Sequence, residues 1–325
     1  MSRFSKPLAA LSALTAGALL LTGCSGAASS QGTESQTVPL TVGITPIANA
    51  AHVYIAEEQG FFEEEGLDVT PTTIQTAATA IPSLFNDELQ IALMASVPTV
   101  TAASKGLPIK VVGGSDRYPQ DAKNDTTALI ASADGGVESL KDLAGKTVAV
   151  VGLKSTPELA LRVLLKNAGV DPDGVKTVEI GYPDMVPALE TNRVDAAFIV
   201  DPFLSKAKAA GLELLGHPFT DGIGGMTALQ WVASDAFTKE HPETIQKFTR
   251  AMDRAGKYAN DNPEAIREAL PKFTALTPEL VKSSVLPVYD SALQTADIQA
   301  FVELMTEEGF IDDGYNPEDL IWSAK

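Results

Sequence analysis

The chain has 325 residues, 45% of them hydrophobic, which is enough to bury a full core and excludes a disordered chain. Acidic side chains outnumber basic ones 42 to 24, for a net charge of −18, and aromatics make up only 6%, so a nucleic-acid binder is disfavoured on both counts. One cysteine, Cys24, excludes an internal disulfide and a cysteine-built zinc site, and His52, His217 and His241 are too scattered for a metal site, so neither metal nor cofactor is expected.

The first segment reads as an address. Met1–Lys6 carries Arg3 and Lys6 and no acid, and Leu8–Leu21 is apolar apart from Ser and Thr. That stretch falls short of the roughly 20 residues that cross a bilayer comfortably. A basic start, a short apolar region and a small-residue exit make residues 1–23 a secretory signal peptide. The exit, Leu21-Thr22-Gly23-Cys24, resembles the bacterial lipobox, in which the thiol receives a diacylglyceryl group and becomes the new first residue. Residues 24–37 then read as a lipidated flexible tether, small and polar from Ser25 to Gln36.

Downstream, strands alternate with helices. Leu40–Thr45 reads as a strand, Ala51–Gln59 as a helix and Leu67–Ile74 as a strand; Thr147–Gly152, Pro157–Asn167 and Val175–Ile180 repeat the order. Gly60 and Gly169 stand where helix C-caps are wanted. An internal echo follows at a constant offset of 105. Ile81-Pro82-Ser83-Leu84 matches Val186-Pro187-Ala188-Leu189, and Leu89–Met94 matches Val194–Ile199. Because proline suits the first helical turn, these helices are expected to begin at Thr79 and Asp184, ahead of strands Gln90–Met94 and Asp195–Val200. The pattern is α/β, with two similar lobes of parallel-type sheets flanked by helices. From Thr238 the chain reads as helices, including Pro263–Leu270, Pro278–Tyr289 and Thr295–Glu308. The strand-like Ala228–Ser234 ahead of them is expected to return the chain to the first lobe. Crossings near Asp121–Thr127 and Gly222–Leu229 then form a two-strand hinge, with lobe 1 built from 38–122 plus 227–325 and lobe 2 from 123–226.

In open α/β sheets a ligand sits beyond the carboxyl ends of the strands. That rule selects Thr45, Asn49, His52, Thr76 and Ser96 in lobe 1, and Ser155, Thr156, Tyr182, Asp184 and Asp201 in lobe 2. Ser155 and Thr156 open a helix whose backbone N–H groups suit an anion, although the same residues serve as caps. Tyr182 is placed to wall a pocket. Asp201, the offset partner of Ser96, could bind an amine or bond the hinge backbone. Trp231 and Phe61-Phe62 read as core, and Glu63-Glu64-Glu65 as a solvated face. Gly222-Ile223-Gly224-Gly225 lacks the strand-before, helix-after context of a phosphate loop, and no activated nucleophile is readable.

The run Ala56-Glu57-Glu58-Gln59-Gly60-Phe61-Phe62-Glu63-Glu64-Glu65-Gly66-Leu67-Asp68-Val69 resembles the signature of substrate-binding proteins for nitrate, taurine, alkanesulfonates and thiamine pyrimidine precursors. Ser104–Val112, Leu140–Val148, Arg193–Ala197 and Asp201-Pro202-Phe203 resemble further segments of that family. The resemblance implies the two-lobed periplasmic-binding-protein fold. It also implies an extracytoplasmic, membrane-anchored lipoprotein that works as a monomer, closes over a small solute and delivers it to the permease subunits of an ABC importer. Two departures stand out. Asn86-Asp87-Glu88-Leu89-Gln90 replaces the usual Gly-Glu-Val-Asp, and Asp201-Pro202 stands where Glu-Pro is common, which weakens any inference of the ligand from relatives. Two ligand classes stay open. A sulfonate or related anion would use Thr76, Ser155 and Thr156, and is preferred; a heterocyclic amine would use Asp201, His52 and Tyr182. Lys154 is the only cation of these loops. A sensor without transport is a further alternative. A pyrimidine-synthase-like enzyme is disfavoured, because that enzyme's cysteine-rich iron-binding segment has no counterpart beyond Cys24.

Overall fold

The computed structural model describes residues 37–74, 77–201, 203–293 and 295–323, and Gln36–Lys325 forms one compact unit. The signal peptide, Cys24, the tether and Thr76 lie outside the described residues. The first sheet begins with β1 (Val38–Ile44), α1 (Ala51–Glu58), α2 (Phe61–Glu64), β2 (Leu67–Thr73), α3 (Ala77–Phe85), β3 (Ile91–Ala95), α4 (Ser96–Ser104) and β4 (Ile109–Arg117). The chain then builds the second from β5 (Thr127–Ala131), β6 (Thr147–Val150), α5 (Thr156–Asn167), β7 (Lys176–Glu179), α6 (Tyr182–Glu190), β8 (Ala196–Val200), α7 (Phe203–Ala209), β9 (Leu214–Gly216) and α8 (Pro218–Ile223). It returns through β10 (Thr227–Ser234), followed by α9 (Asp235–Glu240), α10 (Pro242–Asp261), α11 (Pro263–Phe273), α12 (Pro278–Ser283) and α13 (Thr295–Glu307).

The strand orders are β2-β1-β3-β10-β4 and β7-β6-β8-β5-β9. Both sheets are mixed, where the sequence pattern suggested parallel ones. β10 runs antiparallel to β3 and β4, and β5 antiparallel to β8 and β9. The reason is topological. Each odd strand is the one that arrives from the other sheet, and it enters at the carboxyl end of its new neighbours. The crossings pair with each other there: the Tyr118 N–H donates to the Met226 carbonyl at 3.0 Å, and the Gly225 N–H to the Tyr118 carbonyl at 2.9 Å.

The internal echo is structural. α3 and α6, and then β3 and β8, begin and end at the same offset of 105. The helix starts differ from expectation. α3 begins at Ala77 and not after Thr79, and α6 at Tyr182, capped by Gly181 without a side-chain bond. Pro82 and Pro187 therefore sit inside their helices, each forgoing one backbone bond in a short element held by tertiary packing. A second correction concerns Pro278–Tyr289. The helix stops at Ser283, and the chain beyond it reaches Tyr289, which bridges to Asp116. Pro287 restricts the residue before it to extended backbone, which breaks the helical reading.

Trp231 is fully buried and packs edge-on against Phe248 of α10, ring centres 5.0 Å apart. Phe62 stacks on the same Phe248. The acidic run beside it is not simply solvated: Glu64 pairs with Arg254 and Glu65 with Arg250, each at 2.6 Å, which ties α2 to α10. α13 spans the boundary between the sheets. Asp297 at its start bonds Arg117 (2.7 Å) and Thr227 (2.8 Å), and Glu308 just past its end bonds Arg162 and Lys166 of α5, both at 2.5 Å.

The second crossing needs glycine at position 224. A Cβ there would lie 2.4 Å from the Thr220 carbonyl oxygen and 2.9 Å from that of Pro119, both backbone atoms that cannot rotate away. Gly224→Ala is expected to destabilise the protein by about 1–3 kcal/mol in urea unfolding, the usual cost of overpacking. Gly174→Ala, with nothing within 4 Å of its Cβ, should be silent in the same measurement.

Candidate ligand-binding cleft

The carboxyl ends of both sheets face the boundary where the chain crosses. On the first sheet, the turn after β1 carries Thr45 and Asn49, both half-buried. The Asn49 side chain donates through Nδ2 to Oδ2 of Asp116 at 2.5 Å, and the Tyr289 hydroxyl donates to the Ala48 carbonyl at 2.7 Å. The turn is therefore pinned from two sides, by the end of β4 and by the segment after α12. His52 follows in α1 with 1% exposure. Its ring lies 4.3 Å from that of Tyr289 and 5.6 Å from that of Trp231, and Nε2 is 3.4 Å from the Ser115 hydroxyl. His52 thus belongs to a buried layer with Ser115, Trp231 and Tyr289. Ser96 is fully buried and donates to the Thr227 carbonyl at 2.8 Å, which fixes where the second crossing joins the first sheet.

On the second sheet, Ser155 caps α5: its hydroxyl accepts from the Glu158 N–H and donates to the Gly152 carbonyl. Glu158, itself buried, takes the Lys154 N–H at 2.5 Å and the Thr177 hydroxyl at 2.7 Å. A carboxylate of the chain's own thus already sits against the loop that leads into α5. The Lys154 ammonium, at a residue with φ of 53°, turns to the Gly309 carbonyl at 2.9 Å. Thr156, nearly buried, hydrogen-bonds Tyr118 on the first crossing. Tyr118 also packs on Phe219, ring centres 4.5 Å apart, and feels both Asp116 and Tyr182 electrostatically. Burial pushes the Tyr182 hydroxyl up to about 12 and Tyr118 higher still, so both are neutral donors. Asp184 is exposed in the first turn of α6, where its charge complements the helix dipole. Asp201 accepts from the backbone N–H and hydroxyl of Ser205, and its own N–H goes to the Thr126 carbonyl. It holds the start of α7 to the hinge.

The structure therefore brings Asn49 against Asp116, His52 against Ser115 and Tyr289, and Thr156 and Tyr182 around Tyr118. It commits Ser96, Ser155 and Asp201 to internal bonds. Asp116, Tyr118 and Tyr289 were missed by sequence reasoning. A signal for Asp116 existed, since an acid two residues after the mostly apolar, Gly-Gly-ended run Ile109–Gly114 stands at a strand end. Tyr289 had none, because a helix was expected there. Among the described residues no group of His, Cys, Asp and Glu could hold a metal, and no helix is long and apolar enough to cross a membrane.

Asp116 and His52 carry opposite pKa shifts. Burial raises Asp116 from 3.8 to about 7 against the pull of Asn49, Ser115 and the Leu229 N–H, and burial lowers His52 from 6.5 to about 3. The unfolded chain protonates His52 first, so its contribution to stability is present above pH 6.5 and lost as pH falls toward 3. Asp116 contributes below pH 4, and loses that contribution as pH rises toward 7. The two oppose each other between about pH 4 and 6.5. Asp116→Asn leaves His52 uncompensated. The variant's urea-unfolding free energy is expected to fall with acid faster than the wild type's, by up to about 1.4 kcal/mol per pH unit.

With this geometry in hand, comparison with known proteins places the chain. The family model described as NMT1/THI5 like matches residues 47–266. The taurine-binding periplasmic protein of Escherichia coli (strain K12) is 27% identical over 240 residues, covering 71% of this chain and 69% of the relative. The 4-amino-5-hydroxymethyl-2-methylpyrimidine phosphate synthase of Legionella pneumophila is 24% identical over 260 residues, covering 75% and 77%. In three dimensions, the crystal structure of the periplasmic aliphatic sulphonate binding protein SsuA from Escherichia coli superposes with a TM-score of 0.72 at 18% identity, covering 88% of this chain and 92% of that one. The fold is accordingly that of the periplasmic binding proteins. Since the family model spans well over half of the chain, the protein belongs to the NMT1/THI5-like family.

Proposed function

We propose that this protein is the extracytoplasmic solute receptor of an ABC importer, and that it holds a small organic sulfonate or a related anion in the cleft between its lobes. The observation that carries the reading is the convergence of the two sheets' carboxyl ends. Asn49 and Thr45 stand on one side and Thr156 and Tyr182 on the other, with Tyr118 between them at the crossing. Lobe 1 is taken as 38–122 with 227–325 and lobe 2 as 123–226, two bodies that rotate about the paired crossings. A solute bonded to both stabilises the closed form. The permease subunits would dock on the two lobes flanking the cleft, with the receptor acting as a monomer. The taurine-binding relative and the sulphonate-binding structural neighbour support the ligand class. Neutral donors, the Asn49 amide and the hydroxyls of Thr156, Tyr118 and Tyr182, would hold the anion without a facing arginine. The receptor role is preferred to an enzymatic one because nothing beyond Cys24 matches a cysteine-rich metal segment. A second reading, a heterocyclic amine such as a thiamine pyrimidine precursor, is favoured by the Tyr118–Phe219 aromatic pair beside Tyr182 and by the pyrimidine-synthase relative.

Thermal unfolding of Gln36–Lys325 against taurine, ethanesulfonate and nitrate on one side and pyrimidines and thiamine on the other decides between them. A sulfonate at a hundredfold excess over its Kd should add about 2.7 kcal/mol. Tyr182→Ala should weaken binding at least about tenfold, which is roughly 1.4 kcal/mol. Asp201→Asn, changed at a residue whose carboxylate is already engaged by Ser205, should weaken it less. A response confined to the pyrimidines would sink the sulfonate reading.

The lipobox-like Cys24 anchors the full-length chain in this proposal. Expressed in a bacterial host, the wild type should fractionate with membranes, and Cys24→Ser should appear in the soluble extracytoplasmic fraction. Retention of that variant on membranes would count against the lipid anchor.

A further inference from the structure

Asp116 is a fully buried carboxylate that the ligand reading above does not use. It sits one residue before the end of β4, and its Oδ2 takes Nδ2 of Asn49 at 2.5 Å. Its other oxygen, Oδ1, makes no hydrogen bond of good geometry, although the Ser115 hydroxyl and the Leu229 N–H lie toward the carboxylate. The backbone of the Asn49 turn is fixed independently by the Tyr289 hydroxyl on the Ala48 carbonyl. What remains free to vary is the orientation of the Asn49 amide.

We infer that Asp116 is a positioning residue of the cleft, and that its protonation state decides whether the Asn49 amide offers the solute an acceptor or donors. The inference rests on the receptor reading, in which Asn49 faces the solute. A carboxylate can only accept, so it holds Nδ2 against itself and leaves Oδ1 and one N–H of Asn49 for the cleft. A protonated Asp116 can donate to Oδ1. The amide then turns over and presents both N–H protons outward. Losing the negative charge acts in the same direction, because both changes favour an anion. Asp116 is thus a specificity device that couples one proton to anion capture.

The surrounding groups leave Asp116 as the one that changes near neutrality. From α1, His52 is neutral there, since burial holds it at about 3. From the segment after α12, burial keeps Tyr289 protonated, and Tyr118 on the crossing is protonated for the same reason. Arg117, next on the strand, turns its guanidinium to Asp290 at 2.5 Å and Asp297 at 2.7 Å. β10 supplies the Leu229 N–H. Burial places Asp116 itself at about 7.

Ethanesulfonate is the probe, because it stays anionic throughout and contributes no titration of its own. Its Kd by calorimetry should be lower at pH 6 than at pH 8, by at most about tenfold, the limit for one coupled proton with a free-state pKa of about 7. Asp116→Asn, isosteric with the protonated acid, should bind with the low-pH affinity at both values. A ligand-free arm follows the Asn49 side-chain NH₂ signals by ¹⁵N NMR, assigned by their loss in Asn49→Ala. They should move with a midpoint near neutrality in the wild type and stay fixed in Asp116→Asn. Signals that do not move in the wild type overturn the coupling. Signals that move while the Kd stays flat overturn the role in the cleft. No binding of ethanesulfonate at either pH overturns the sulfonate reading instead, and the NMR arm still decides whether Asp116 turns the amide.

Discussion

A chain that leaves one sheet at the carboxyl ends of its strands and enters a second sheet at the same end must run backwards through its first strand there. β5 and β10 both obey this constraint, and most of the architecture follows from it. It makes each sheet mixed, with the reversed strand inside the sheet and the strand carrying the neighbouring crossing at its edge. It also brings both crossings and both sets of strand-end loops to a single boundary. The boundary is where the connections have to be, and the crossings and the strand-end loops are parts of the same region.

Burial of polar groups at that boundary follows. Arg117 leaves β4 between Asp290 and Asp297, and Asp297 also holds Thr227 where β10 begins. On the far side of the first crossing, Asp125 takes the hydroxyl and N–H of Thr220 as well as those of Thr127. Each crossing is thus clasped at both ends by a charged side chain with several partners, which is what makes ionic groups tolerable away from water. α13 adds a third connection through Glu308, whose side chain is only 2% exposed between Arg162 and Lys166. The nearly buried carboxylate is tolerable there because two cations face it.

The candidate site divides along the same line. Thr45, Ser96 and Asp201 directly follow strands, while His52, Thr156 and Asp184 lie in the helices that come next. Which of them stay available depends on neighbours far away in sequence. Ser96 is spent on Thr227, 131 residues on, and Asn49 is held by Asp116, 67 residues on. Ser155 is spent locally as a cap, a use that the sequence already suggested, and Asp201 is spent on Ser205 four residues on.

Read alone, the amino-acid order determined the alternation of strands and helices, the 105-residue echo, the return of Ala228–Ser234 to the first sheet and the burial of Trp231. All of these are written in local periodicity, turn residues and apolar runs. It placed α3 and α6 two residues or more too late, because tertiary packing tolerates a proline that an isolated helix would not. It extended α12 to Tyr289, because helical spacing carries on past Ser283 while the chain itself leaves to close against β4. Only the tertiary structure decided that the sheets are mixed, that His52 is buried against Ser115 and Tyr289, and that Asp116 and Tyr118 meet the strand-end loops at the boundary. Those facts depend on which distant backbones meet and how deeply a group is buried. Neither pairing across a hundred residues nor desolvation has a local signature in the sequence.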